Sequence, residues 1–262
     1  MFQPLYVHLP LDVVQQRMDT LEELRLNVEV YLDIPTLESL QPGGLRSILS
    51  PLIGQGCLLH CHGPYDGSLM HSDPILRERF LEESIRCLER CAECDIPSAV
   101  FHSGWEEQDL DKDWEDWLIH AKKAWQRLGR ASERTRVQLL LENTHEKRTE
   151  PLRGLIESLA PQAAFCMDIA HCHLNTGGLD PWIADLEHVL EHVHLSDCHG
   201  EKDDHLGLGQ GQLPLDDMMK SIQQLPMWKK HRISAALEVN SEEGILRSLT
   251  YLLNRTLIDP FI

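Results

Sequence analysis

The sequence predicts a single-domain (β/α)8 TIM barrel over residues 1–262, on three observations. Eight short apolar runs with strand character alternate with segments of helical period. No linker or low-complexity run divides the chain, and its 262 residues are close to the ~250 typical of that architecture. Six of the runs end at or just before a residue that ligates hard metal ions: His62, His102, Glu142, Asp168, His194 and Glu238. Barrel enzymes carry their sites at that end of the strands. The competing fold is an open doubly wound sheet, but such a sheet gathers its ligands at one switch point, not around a ring.

The strand-like runs are Leu5–His8, Val28–Leu32, Cys57–His62, Ala99–His102, Gln138–Glu142, Ala164–Asp168, His192–Leu195 and Ser234–Val239. The first two connections, Pro10–Leu26 and Thr36–Ile53, read as helical. Asp73–Cys94 is the clearest helix: Asp73 suits the N-cap, Pro74 the first turn, and Leu76, Phe80, Ile85, Leu88 and Cys91 share a face. Asp113–Arg134 repeats the pattern with Trp114, Trp117, Leu118, Ala121, Trp125 and Leu128. Asp216–Leu225 and Ser241–Leu253 are further helices, the last capped by Ser241. Strand period puts Cys166 beneath Asp168, Ala236 beneath Glu238 and Val100 beneath His102. Small or apolar residues below polar ones suit a packed barrel topped by a site.

Composition narrows the function. Twenty-four basic against 42 acidic residues give a formal charge of −18. Non-specific binding to nucleic acid or anionic membrane needs positive surface, so a small-molecule partner is expected and nucleic acid is disfavoured. Met1–Pro10 lacks a basic stretch followed by a long apolar one, and no membrane-length apolar run occurs, so a cytoplasmic protein is expected. Eight cysteines in a chain of this length read as reduced thiols. Cys87, Cys91 and Cys94 fall on one helix and read as buried core thiols, with a soft-metal site the less favoured alternative. Trp105, Trp114 and Trp117 look exposed and suit a dimer contact or a substrate lid. Oligomeric state is not fixed by the sequence.

Glu142 follows Leu139-Leu140-Leu141, Asp168 follows Phe165-Cys166-Met167, and Glu238 follows Ala235-Ala236-Leu237. A carboxylate after such a run needs a cation, a hydrogen-bond network, a loop arginine or solvent. His60 and His62 share a strand face. His62 lies nearer the loop and is the candidate ligand, while His60 reads as a buried, hydrogen-bonded histidine. His194 is preferred to His192 for the same reason. Asp168 and His171 form D-x-x-H, and Asp203 and His205 form D-x-H in a polar loop. His145, His173 and His199 read as loop or supporting residues. Gly207–Gly211 lacks the strand-to-helix setting of a dinucleotide site and reads as a tight rim loop. Imidazole and carboxylate donors suit zinc or manganese, with iron(II) or cobalt also allowed, as one to three ions. Two chemistries follow. Glu142 and Glu238 can flank one metal that polarises a hydroxy-carbonyl while one of them moves a proton. Alternatively, two or three ions clamp a phosphate and generate hydroxide.

The ordered set His62–Tyr65 (HGPY), Phe101–Gly104 (FHSG), Leu140–Asn143 (LLEN), Met167–His171 (MDIAH), His194–Asp197 (HLSD), Asp203–Gly211 (DDHLGLGQG) and Leu237–Asn240 (LEVN) resembles the xylose isomerase-like TIM barrel superfamily. That superfamily includes sugar and sugar-phosphate isomerases and epimerases and the endonuclease IV class of abasic-site nucleases (family 2). The isomerase branch implies one metal held by Glu142, Asp168, His194 and Glu238, with His171 on substrate and Glu142 and Glu238 as the acid/base pair. The endonuclease IV branch implies His62, His102 and Glu142 on one metal. Glu142 then bridges to a second with Asp168, His194 and Glu238, and His171, Asp203 and His205 hold a third. All nine positions are present, which favours a multinuclear site. Against a nuclease stand the acidic charge and the stretch Tyr31–Thr36, where a basic, aromatic DNA-gripping loop would be expected. The leading expectation is a metal-dependent isomerase or epimerase acting on a sugar or sugar phosphate. A phosphoester hydrolase like endonuclease IV is the alternative, and a non-catalytic metal-binding or interaction protein is the third reading.

Overall fold

The computed structural model describes residues 1–106, 113–230 and 233–258. Eight strands close into one barrel in chain order: β1 (Leu5–Pro10), β2 (Val28–Tyr31), β3 (Leu59–His62), β4 (Ser98–His102), β5 (Gln138–Glu142), β6 (Ala163–Asp168), β7 (Leu190–Leu195) and β8 (Ser234–Leu237). All neighbours are parallel, and β8 returns to β1. The single-domain barrel expected from the sequence is therefore present, with strand ends displaced by one or two residues.

The first connection is two short helices, α1 (Leu11–Gln16) and α2 (Met18–Leu24), broken at Arg17. The second is also two, α3 (Ile34–Ser39) and α4 (Gly44–Gly54), separated at Pro42 and Gly43, where Gly43 takes φ +76°. A left-handed backbone and a proline stop the single helix expected there. Next come α5 (Pro74–Glu93), α6 (Trp114–Thr135), α7 (Glu150–Leu159), α8 (Ile169–Thr176), α9 (Asp180–Leu186), α10 (Leu215–Gln224), α11 (Pro226–Lys229) and α12 (Glu242–Asn254). The expected caps form. Asp73 accepts from Ile75 N at 2.8 Å, Asp113 from Glu115 N at 2.9 Å and Ser241 from Gly244 N at 3.1 Å.

Burial falls in two shells. Outward-facing strand residues such as Val30, Phe101, Leu139, Phe165 and Val193 join the helices in the main core, while Val100, Leu140, Ala164 and Cys166 form a small apolar cluster inside the barrel. Strand period thus separates the faces as expected, and register brings the site residues level. His102 pairs with Glu142, and Asp168 with His194.

One surface expectation changes. Trp105 and Trp117 are buried, at 4% and 5% exposure, and meet edge to face at 5.1 Å. They pack α6 against the barrel, so the exposed dimer contact is not formed by these two rings, while Trp105 lines a cavity beside His102. The cysteines are all unpaired. Cys87 and Cys91 are fully buried, with Cys87 Sγ 3.7 Å from Cys61 Sγ. Among the described residues no helix is long and apolar enough to cross a membrane.

The glycine-rich segment after β7 is a tied loop. The buried Asp197 carboxylate accepts from Cys198 N, Gly209 N, Gly211 N and Leu213 N at 2.9–3.1 Å. Asp197 and Leu206 also exchange backbone hydrogen bonds at 2.8 Å. A Cβ on Gly211 would collide with the Cys198 carbonyl oxygen and the Asp197 carboxylate. This loop presents Asp203 and His205 to the barrel mouth.

Candidate metal centre

The nine candidate ligands meet at the C-terminal mouth of the barrel. Each has an imidazole nitrogen or carboxylate oxygen within 3.7 Å of another member. Glu142, on β5, lies at the centre. Its Oε2 faces His62 Nε2 at 3.2 Å and His102 Nε2 at 3.5 Å. Its Oε1 faces His194 Nδ1 at 3.3 Å and His171 Nδ1 at 3.5 Å. The two oxygens of one carboxylate therefore serve different groups of imidazoles.

On the Oε1 side, Glu238 Oε2 lies 2.9 Å from His194 Nδ1. Donor atoms of Glu142, Asp168, His194 and Glu238 all lie within 4.8 Å of one another. Asp168 caps α8, accepting from His171 N at 2.6 Å through Oδ1, while its buried Oδ2 has no hydrogen-bond partner. Asn143 clamps the Asp168 backbone, donating to its carbonyl at 3.1 Å and accepting from its N–H at 2.9 Å. Beyond it, Asp203 Oδ2 sits 3.1 Å from His171 Nε2 and 2.7 Å from His205 Nε2.

Backbone contacts fix three tautomers. His62 Nδ1 donates to Gly63 O at 2.8 Å, His171 Nδ1 to Asn143 O at 2.8 Å and His205 Nδ1 to Glu238 O at 3.2 Å. A carbonyl can only accept, so in each neutral ring Nε2 bears the lone pair. Each of these Nε2 atoms faces a carboxylate oxygen, so either a proton on the ring or a metal ion between the two would satisfy the pair. His194 Nδ1 is buried and 2.9 Å from Glu238 Oε2, and neither atom has an aligned hydrogen-bond partner. Protons alone would crowd imidazolium rings together, since His62 lies 5.4 Å from His102 and 5.6 Å from His194 between ring centres. This donor set fits divalent ions.

Every ion pair made by Glu142, Asp168, Asp203 and Glu238 among the described residues is to histidine. The loop arginine allowed as a partner in sequence terms is not used. Burial pushes the Asp168 carboxyl up to about 6, with Glu142, Asp203 and Glu238 adding to the effect. For His194, burial works downward, yet Cys166, Glu142, Glu29 and Glu238 lift it well above the ordinary imidazole value. Positive charge is therefore favoured at this point.

His60 and His192 lie deeper on the same strand faces, both buried, as the choice of His62 and His194 assumed. His145 and His199 are exposed and His173 is half-buried on α8. Sequence reading missed Glu29 and His8. Glu29, on β2, is fully buried, with its oxygens within 3.1 Å of nitrogens of His8, His60, His192 and His194. The available signal was strand parity: Val28 and Val30 face the helices, so Glu29 must face the barrel axis. At the mouth, Tyr65 stacks on Tyr31 at 4.4 Å and on His102 at 5.2 Å.

Fold and site together define a (β/α)8 barrel with an imidazole–carboxylate centre at its mouth. The model of the family described as xylose isomerase-like TIM barrel matches residues 36–254, and the chain belongs to that family. No curated protein sequence matches the chain. Among solved structures, the chain is similar to the TTHB071 protein of Thermus thermophilus, from a crystal soaked with ZnCl2. The two share 29% identity at a TM-score of 0.78, covering 95% of this chain and 96% of that one. It also resembles a 3-keto-D-glucoside 4-epimerase of E. coli (14% identity, TM-score 0.71, 97% and 99% covered). Endonuclease IV of Thermus thermophilus is a further match (19% identity, TM-score 0.68, 97% and 98% covered). At such identities the last two show the shared fold alone.

Proposed function

We propose that this chain is a cytoplasmic, multinuclear divalent-metal enzyme that hydrolyses a phosphoester in a small polyhydroxy substrate. The observation that carries this reading is the division of Glu142: Oε2 toward His62 and His102, Oε1 toward His194. A carboxylate shared in this way suits two adjacent ions. The single-metal arrangement of the isomerase reading leaves the His62 and His102 side of Glu142 without a role. Asp168, His194 and Glu238 complete the second position, and His171, Asp203 and His205 make a third. When bound, zinc or manganese there would clamp phosphate oxygens and supply hydroxide at neutral pH. The protein's own part is to hold each imidazole in its ligating tautomer through Gly63 O, Asn143 O and Glu238 O.

A cavity of about 220 Å³ beside His102, lined by Tyr65, Ser68, Trp105, Thr144 and His145 among others, suits a small substrate better than a duplex. The acidic charge points the same way. Free cysteines throughout favour a reducing compartment.

The isomerase or epimerase reading keeps one supporting observation: Glu142, Asp168, His194 and Glu238 by themselves form a compact four-donor set. A substrate panel separates the two. Protein reconstituted with zinc or manganese is assayed on phosphomono- and phosphodiesters of sugars, on abasic DNA, and for deuterium exchange into ketoses. Phosphate release from the small esters is expected. Deuterium exchange without hydrolysis would overturn the assignment in favour of the isomerase, and cleavage of abasic DNA alone would overturn the small substrate.

A further inference from the structure

Below the mouth, the barrel axis carries a second cluster of donors that the proposed chemistry does not use. Glu29 is at its centre. Its Oε2 accepts from His60 Nδ1 at 2.6 Å and lies 3.0 Å from His192 Nε2. Its Oε1 pairs with His8 Nδ1 at 2.9 Å and lies 3.1 Å from His194 Nε2. Donor atoms of Glu29, His60 and His192 lie within 4.8 Å of one another, and all three residues are at most 2% exposed.

One tautomer of His192 turns an unpartnered nitrogen on this cluster. Ser234 Oγ donates to Glu191 O at 3.2 Å, so its one proton is committed. With the Ser234 proton on Glu191 O, His192 Nδ1, 2.7 Å from Ser234 Oγ, is the donor. The neutral ring therefore bears its lone pair on Nε2. That nitrogen is buried, has no aligned hydrogen-bond partner, and faces a carboxylate oxygen. Two lone pairs 3.0 Å apart in a dry interior are costly unless a cation lies between them. A proton there would create a buried imidazolium stacked at 4.4 Å on the His60 ring. His60 can instead turn a lone pair on the same point, because Ser98 Oγ, 2.9 Å from its Nε2, can accept the proton on that side.

We propose that Glu29, His60 and His192 form a buried divalent-metal site inside the barrel, distinct from the centre at the mouth. Two imidazoles and one carboxylate suit zinc, iron(II) or manganese. His194 stands between the two sites, with Nδ1 toward Glu142 and Glu238 and Nε2 toward Glu29. An ion at the lower site would offset the buried Glu29 charge and fix the wall on which His194 stands.

The test is anomalous diffraction at the zinc edge from crystals of the whole chain equilibrated with ZnCl2. The expected result is a peak about 2.0–2.2 Å from Glu29 Oε2, His60 Nδ1 and His192 Nε2, besides those at the mouth. His192→Gln should remove this peak, and one zinc equivalent by elemental analysis, while the mouth peaks stay. Peaks at the mouth alone would overturn this site and leave the proposed function standing. Zinc at neither place would overturn both. Should His192→Gln fail to fold, the wild-type peak positions still decide.

Discussion

At the residue scale, Glu238 and His205 separate the roles within the mouth. Glu238 approaches His194 Nδ1, and its backbone oxygen holds His205. Glu238→Gln keeps the shape and removes the charge. Activity is expected to fall by at least about 100-fold, with weaker metal retention. Wild-type turnover in that variant would remove Glu238 from the site. His205 has φ +48°, an uncommon backbone for a residue with a Cβ, held by Asn240 N donating to its carbonyl at 3.0 Å. His205→Ala should lose one metal equivalent by elemental analysis and retain the others.

The same scale explains what could be read in the sequence. His62, His102, Glu142, Asp168, His194 and Glu238 stood out as candidates because each lies at the end of an apolar run, where a polar group needs a cation, a hydrogen-bond network or solvent. Asp203 and His205 were legible only as a spacing in a polar loop. Glu29 was not, because one acid between Val28 and Val30 also describes an ordinary strand with one wet face. Only barrel closure turns that face inward. Trp105 and Trp117 were misjudged because a polar neighbourhood in sequence says little about the tertiary contact that buries them.

At the element scale, the site depends on what stands behind each strand. Trp125 of α6, 1% exposed, donates from Nε1 to Ser103 O at 3.1 Å and meets Phe101 edge to face, so α6 fixes the end of β4 that carries His102. Trp125→Ala should cost about 3–5 kcal/mol in urea unfolding. A cost under about 1 kcal/mol would mean that β4 is held by other contacts. The rim loop depends similarly on Asp197. Gly211→Ala forces a Cβ into that carboxylate and the Cys198 carbonyl. It should lower thermal stability and release the metal that needs Asp203 and His205 before the others. Equal loss of all ions would contradict the local role given to the loop.

At the scale of the whole molecule, the centre and the charge balance are one problem. Five inward carboxylates, Glu29, Glu142, Asp168, Asp203 and Glu238, pair with histidines and with no lysine or arginine among the described residues. Bound divalent ions should therefore stabilise the fold by roughly 2.7 kcal/mol per site at a free concentration of 100 times Kd. A chelator should lower Tm, and zinc or manganese should restore it. The most direct test of the central claim is the number of metal ions per chain, by elemental analysis of protein purified without chelator. Two or more equivalents of zinc, manganese or iron are predicted, with one fewer in His205→Ala. A single equivalent, unchanged in that variant, would contradict the shared role of Glu142 and return the chain to the mononuclear isomerase reading.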